Sequence, residues 1–262
     1  MYMQKTNDKD NVPYQQGLVI SYFGNSVAVE TATGQVVQCH LRRNQALPVV
    51  GDRVDWTIEG ADTGIIVGIE PRRSVLGRGD DRGNMKPIAA NVDVMLVVMS
   101  PPPGLSERLI DRYLVAAETL KIAPVIIMNK VDLLSDEARV AAVKRLKMYR
   151  DIPYPVMTTS VLTQEGFPEL SSQLKNKAAV LVGPSGVGKS SIITSLTGES
   201  IRTNVVSDKG AGKHTTTATR YYHLPKGGAV IDSPGVRDFN LWAVGRQAVF
   251  DGFREFKPFL TG

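Results

Sequence analysis

Ala178-Ala179-Val180-Leu181-Val182-Gly183-Pro184-Ser185-Gly186-Val187-Gly188-Lys189-Ser190-Ser191 decides how the rest of this chain is read. Five apolar residues form a strand, and the loop that follows fits G-x-x-x-x-G-K-[ST] in full. Ile192, Ile193 and Leu196 then recur at helical spacing until Gly198. Each residue type has a physical reason. Glycines at 183, 186 and 188 let backbone N–H groups turn inward around phosphates without Cβ clashes. The start of the helix adds a favourable field for an anion. Gly183, Pro184, Ser185, Gly186, Val187, Gly188, Lys189, Ser190 and Ser191 are therefore candidate phosphate contacts. Lys189 is expected to reach the β- and γ-phosphates, and the Ser190 hydroxyl to ligate Mg²⁺.

Upstream, Val92–Met99 is a near-continuous apolar run suited to a strand covered on both faces. Ser106 is placed to cap a helix through Leu109, Ile110, Tyr113, Leu114, Ala117 and Leu120. Val125–Met128 reads as the next buried strand, Ser135 opens a helix towards Arg150, and Ala229–Ile231 is a further strand. This alternation predicts a doubly wound, mostly parallel α/β domain over 89–240.

The strand Val125–Met128 runs into Asn129-Lys130-Val131-Asp132, an N-K-x-D sequence. A carboxylate at Asp132 accepts from N1–H and the N2 amine of guanine, a pair of donors adenine does not offer. A site built on such bonds rejects the wrong base, because an unpaired buried carboxylate is costly. The Lys130 stem packs over the base, and Asn129 braces the loop. Thr158-Thr159-Ser160 follows the strand-like Pro155–Met157, where GTPases place a loop whose backbone contacts guanine O6; Thr159, Ser160 and Val161 are the candidate contacts. Asp232-Ser233-Pro234-Gly235 fits D-x-x-G, with Asp232 holding Mg²⁺ through a water and the Gly235 N–H on the γ-phosphate. Between them lies a switch, Lys209 to Thr217. Thr216 is the expected Mg²⁺ ligand there, with Thr215 and Thr217 as alternatives.

The N-terminal part reads differently. Leu18–Ile20, Val27–Val29, Val36–Cys39, Arg53–Ile58 and Ile65–Ile69 are short strand candidates punctuated by glycine turns. They predict an OB-fold-like β-barrel over 13–71 after a flexible N-terminus, 1–12, with another small barrel or an open sheet as alternatives. Residues 72–88 form a basic linker carrying Arg72, Arg73, Arg78, Arg82 and Lys86. A solvated hinge and a phosphate-contacting segment both fit that composition. Residues 241–262 are expected to be partly helical.

The net charge of +5 permits a polyanionic partner without demanding one. Cys39 is the single cysteine, which excludes an internal disulfide and a cysteine-cluster zinc site within this sequence and fits a reducing cytoplasm. No apolar run is long enough to span a bilayer, so no membrane association is expected.

The order of the motifs is unusual. The base-reading elements precede the phosphate loop, the switch and D-x-x-G, so the ring of the site is cut elsewhere than in ordinary GTPases. With the N-terminal barrel, Asn129–Asp132, Gly183–Ser191, Gly212-Lys213-His214-Thr215-Thr216-Thr217 and Asp232–Arg237, the chain resembles the circularly permuted, ribosome-small-subunit-dependent GTPases of the RsgA type. The resemblance implies a factor that binds the 30S subunit and its 16S rRNA late in maturation, hydrolyses GTP to GDP there with Mg²⁺, and leaves. A monomer is the default expectation. The family also implies a C-terminal zinc domain. This sequence reaches Gly262 just after Phe253–Phe256, where that domain would begin, and carries no zinc ligand cluster.

Where many GTPases place a water-positioning glutamine after D-x-x-G, this chain has Val236. His214 is the candidate for that task; contacting rRNA or capping the switch are its alternatives. Lys189, His214 and Thr216 are thus the expected catalytic set. Two other functions compete: an rRNA-binding module whose nucleotide domain is only a sensor, and a P-loop ATPase or kinase, against which Asp132 argues.

Overall fold

A computed structural model describes residues 14–42, 45–60, 62–79, 85–101, 104–198, 219–233 and 246–259. The N-terminal strands are β1 (Gln15–Tyr22), β2 (Ser26–Thr31), β3 (Val36–His40), β4 (Arg53–Ile58) and β5 (Thr63–Ile69). They pair in the order β1-β2-β3-β5-β4, and β1 pairs back onto β4, closing an OB-like barrel rather than an open sheet. Val19, Val27, Val29, Cys39, Val54, Trp56 and Ile66 fill it. Burial pushes the Cys39 thiol up to about 11, leaving it as a small apolar filler. Gly64 is required beside it, since a Cβ there would lie 2.5 Å from the Trp56 ring and 2.9 Å from the Cys39 sulfur. The strands run past their apolar cores, as at Gln15 and Gln16, because ladder bonding to β4 continues across polar residues.

The segment expected as a linker folds as a hairpin of β6 (Val75–Gly79) and β7 (Met85–Ala90). Arg72 is not a solvated hinge residue. Its guanidinium donates to both oxygens of the fully buried Asp52, at 2.8 and 2.7 Å, and to the Leu47 carbonyl at 2.8 Å. Asp52 also accepts from the Val49 amide at 2.7 Å. Arg73 pairs with Asp93 at 2.6 Å. Removing one partner of such a buried pair strands a charge, so Arg72→Ala is expected to cost about 3–5 kcal/mol. Urea unfolding checks this, and a change under about 1 kcal/mol would contradict it.

The remaining described elements are β8 (Val94–Met99), α1 (Glu107–Thr119), β9 (Ala123–Met128), α2 (Asp136–Asp151), β10 (Val156–Thr158), α3 (Phe167–Gln173), β11 (Ala178–Val182), α4 (Lys189–Thr197), β12 (Arg220–His223), β13 (Ala229–Asp232) and α5 (Arg246–Asp251). A 3-10 turn covers Val131–Leu133, and another segment of that kind covers Arg254–Phe259. Strand order is β10-β9-β8-β11-β13-β12, parallel through β13 and antiparallel at β12. Alternate residues of β8 enter opposite cores, as the strand period requires. Met95, Val97 and Met99 pack with Ile110, Tyr113 and Leu146 of α1 and α2. Val94, Leu96 and Val98 pack with Leu170, Ile192 and Ile193 of α3 and α4. This is the doubly wound sheet the sequence predicts.

Ser135 caps α2, its hydroxyl accepting from the Ala138 amide at 3.3 Å. Ser106 stands at the start of α1 but makes no capping bond, which corrects the expected role. The barrel meets its neighbours at two seams: Ser21 pairs with Arg220 between β1 and the sheet's edge strand β12, and Val50 bridges to Ala89 of the β6–β7 hairpin. Among the described residues, no helix is long and apolar enough to cross a membrane.

Candidate functional site

The parallel strands deliver their C-terminal ends to one edge of the sheet, where ligands of open α/β folds bind. Asn129 follows β9, Thr159 follows β10, Gly183 follows β11, and Asp232 ends β13. Gly183 takes φ +139°, and a Cβ there would lie 2.1 Å from the Val98 carbonyl oxygen, so only glycine lets the loop leave β11 so close to β8. Val187 is fully buried and anchors the loop, while Ser185, Gly186, Ser190 and Ser191 are exposed around it. The Lys189 ammonium lies across the loop, donating to the carbonyls of Gly183 and Pro184 at 2.7 Å each.

Asn129 and Lys130 reach this loop from almost sixty residues upstream. The buried Asn129 amide donates to the Val187 carbonyl at 2.9 Å, and the Lys130 ammonium donates to the Gly186 carbonyl at 2.6 Å. Lys130 adopts a left-handed φ of +59°, which turns the chain into the 3-10 turn holding Asp132. Thr159 and Ser160 are both fully buried. The Thr159 hydroxyl donates to the Asn129 side-chain oxygen at 3.0 Å, and the Ser160 hydroxyl donates to Asp132 at 2.5 Å. Val161 turns its side chain towards the core under α3 and α4. The expected base-reading residues and the phosphate loop are thus tied into one constellation.

Gly188 is the tightest point between the two motifs. It has φ +94°, and a Cβ would lie 2.5 Å from the Asn129 amide nitrogen. Gly188→Ala is expected to cost about 1–3 kcal/mol in strain and to weaken binding of a fluorescent guanine nucleotide. Unchanged affinity would show that the brace is dispensable.

Asp232 is half-buried, next to β11, and Ser233 beyond it is buried. The Ser190 hydroxyl and the Asp232 carboxylate are hard oxygen donors of the kind Mg²⁺ takes, so the donor chemistry fits that ion. Among the described residues there is no group of three or more His, Cys, Asp or Glu arranged to hold a metal. The expected His214, Thr215, Thr216, Thr217 and Gly235 lie outside the described residues. Sequence reasoning missed the Thr159 brace on Asn129; a small hydroxyl residue at a strand end is too common to signal it.

Comparison with known proteins agrees with this arrangement. The family model described as RsgA GTPase matches residues 69–242. A protein of Proteus mirabilis (strain HI4320) named small ribosomal subunit biogenesis GTPase RsgA is 47% identical over 257 residues, covering 94% of this chain and 73% of that protein. A protein of the same name from Pectobacterium carotovorum subsp. carotovorum (strain PC1) is 46% identical, with the same coverage. The crystal structure of YjeQ from Thermotoga maritima is 30% identical, with a TM-score of 0.76 over 93% of this chain and 82% of that one. YloQ, described as a circularly permuted GTPase, is 26% identical, with a TM-score of 0.73 over 94% of this chain and 79% of that one. Motif order, fold and these matches together place the chain in the RsgA GTPase family.

Proposed function

We propose that this chain is a ribosome-associated GTPase acting in late maturation of the small (30S) ribosomal subunit, as a monomer in the cytoplasm. The observation that carries the reading is the mutual bracing of Asn129-Lys130 with Val187 and Gly186, which ties base recognition to phosphate binding. The names of the relatives support the ribosomal partner.

In the proposed mechanism water attacks the γ-phosphate in line and GDP leaves. The amides of Gly183–Ser191 hold the phosphates. Lys189 exchanges its two loop carbonyls for β- and γ-phosphate oxygens, and its charge offsets the negative charge that builds up during transfer. Asp132 accepts from N1–H and N2 of guanine, Lys130 covers the ring, and the loop at Thr159, Ser160 and Val161 meets O6. Ser190, Thr216 and, through water, Asp232 would hold Mg²⁺, which when bound supplies positive charge beside the β- and γ-phosphates. The Gly235 amide meets the γ-phosphate, and His214 orients the water. Single-turnover hydrolysis on 30S subunits tests the histidine. His214→Ala should lose about 10²-fold or more; near-normal cleavage would remove it from the mechanism.

Contact with 16S rRNA is supported by the hairpin of β6 and β7. Arg78 and Lys86 are exposed and stand directly opposite one another. Like charges in that position repel, and a phosphate between them relieves the repulsion. The double variant Arg78→Ala/Lys86→Ala should therefore bind 30S subunits more weakly, with a shallower salt dependence by about 1 to 2 in log–log slope. Sedimentation with 30S at several salt concentrations measures this. An unchanged slope would place the rRNA contact elsewhere.

A further inference from the structure

The barrel meets the edge of the nucleotide sheet at one ladder rung, and that rung continues to the site. Ser21 in β1 pairs with Arg220 in β12, and Arg220 pairs with Asp232 in β13. Two strand spacings put the Ser21 backbone about 10 Å from that of Asp232. Hydrogen bonds through Thr219 run along the same path. The Ser21 hydroxyl donates to the Thr219 carbonyl at 3.5 Å, a long bond, and the Thr219 hydroxyl donates to the Ser233 hydroxyl at 2.9 Å. Ser21 and Ser233 are both buried, so their hydroxyls depend on partners within the protein. The β1–β2 register shifts between Val19 and Ser21, and such irregularities re-aim a side chain.

The other seam is built differently. The Ala90 amide donates to the Val50 carbonyl at 2.9 Å, and the Asn91 side chain donates to the Gly51 carbonyl at 2.9 Å. Gly51 fits there only because a Cβ would lie 2.2 Å from the Ala90 oxygen. That seam is tight and abuts the apolar Ile231 side chain, which a Gly51 Cβ would approach to 3.3 Å, whereas the Ser21–Thr219–Ser233 path reaches the residue after Asp232 through hydrogen bonds.

We propose that Thr219 is a positioning residue: through Ser233 it sets the Asp232 end of β13, and through Ser21 it links that setting to the barrel. Occupation of the nucleotide site and the state of β1 are then one coupled equilibrium, and coupling of this kind is reciprocal. Whatever engages the barrel thereby alters Mg²⁺-dependent nucleotide affinity. The inference rests on the reading of Asp232 as the Mg²⁺-side carboxylate of a guanine-nucleotide site.

The test compares wild type, Thr219→Val and Thr219→Ser. Valine keeps the shape, the backbone rung and the carbonyl that Ser21 donates to, and removes only the Thr219–Ser233 bond; serine restores it. The readouts are fluorescent-GDP affinity in Mg²⁺ and in EDTA, and hydrogen exchange of β1 amides with and without a GTP analogue plus Mg²⁺. Thr219→Val should lose about tenfold in affinity in Mg²⁺, lose nothing in EDTA, and leave β1 exchange unresponsive to nucleotide. Thr219→Ser should behave as wild type. If Thr219→Val keeps both the Mg²⁺ enhancement and the β1 response, the path through Thr219 is only sheet packing and the inference falls alone. If wild type itself shows no Mg²⁺-dependent GDP affinity, the functional reading falls and takes the inference with it.

Discussion

Lys189→Ala is expected to lower single-turnover GTP hydrolysis by about 10²–10³-fold, the usual effect of removing one preorganised donor from a charge-developing oxygen. The ammonium lies across the phosphate loop, held by the Gly183 and Pro184 carbonyls at 2.7 Å. No other lysine or arginine lies within Gly183–Ser191 to replace it. The loop is otherwise anchored by the buried Val187 and by Asn129, so the variant should fold. Its melting temperature without nucleotide should stay near wild type, while the stabilisation gained from added GDP shrinks. Quenched-flow hydrolysis is the check. A rate within threefold of wild type would mean that Lys189 does not face the transferring phosphate.

Asp132→Asn should reverse base preference rather than merely weaken binding. The carboxylate offers only acceptors to the two guanine donors, N1–H and the N2 amine. An asparagine amide sets its own N–H against one of them and leaves a donor facing a donor. Loss of such a paired contact costs about 10⁴-fold in discrimination in sites built around it. Xanthine carries a carbonyl where guanine carries the N2 amine, so the new amide can donate to it. GDP affinity should fall by orders of magnitude and xanthosine diphosphate affinity should rise. The Ser160 hydroxyl, 2.5 Å from the Asp132 carboxylate, can donate equally to the asparagine oxygen, so the loop should keep its shape. Competition of both diphosphates against a fluorescent probe measures the outcome. An unchanged preference for GDP would move base recognition away from Asp132.

The parts of the fold written in local pattern were legible in the sequence. Ala178–Val182 forms the strand its apolar run predicts, and the apolar run of β8 is buried throughout. The five barrel strands and their turns were legible, but the strand order and the β1–β4 closure, which joins residues about forty apart, were not. What escaped depends on partners far away in the chain. Arg72 looks like a solvated cation until the fold brings the buried Asp52 to it. Strand β12, Arg220-Tyr221-Tyr222-His223, lacks the buried apolar run of its neighbours because it is only partly covered. Helix α3 is short and has only Phe167 and Leu170 as buried anchors, too few to show a period.

The candidate site divides the same way. N-K-x-D and the phosphate loop are sequence patterns, and the structure brings them together. Their mutual brace through Gly186, Val187 and Thr159 is a long-range contact that no local pattern encodes. The hydrogen-bond path from Ser21 through the Thr219 backbone and hydroxyl to Ser233 is of that second kind too, tying a β1 side chain to a residue about two hundred positions away.

If turnover is coupled to the small ribosomal subunit, as we propose, 30S subunits must change the rate of GTP hydrolysis. The most direct measurement is GTP hydrolysis by this chain with and without purified 30S subunits. Intrinsic hydrolysis should be slow and 30S should accelerate it by at least about tenfold, against a Lys189→Ala background that stays flat. Unchanged hydrolysis on 30S, with guanine-nucleotide binding intact, would contradict the coupling while leaving the GTPase itself standing.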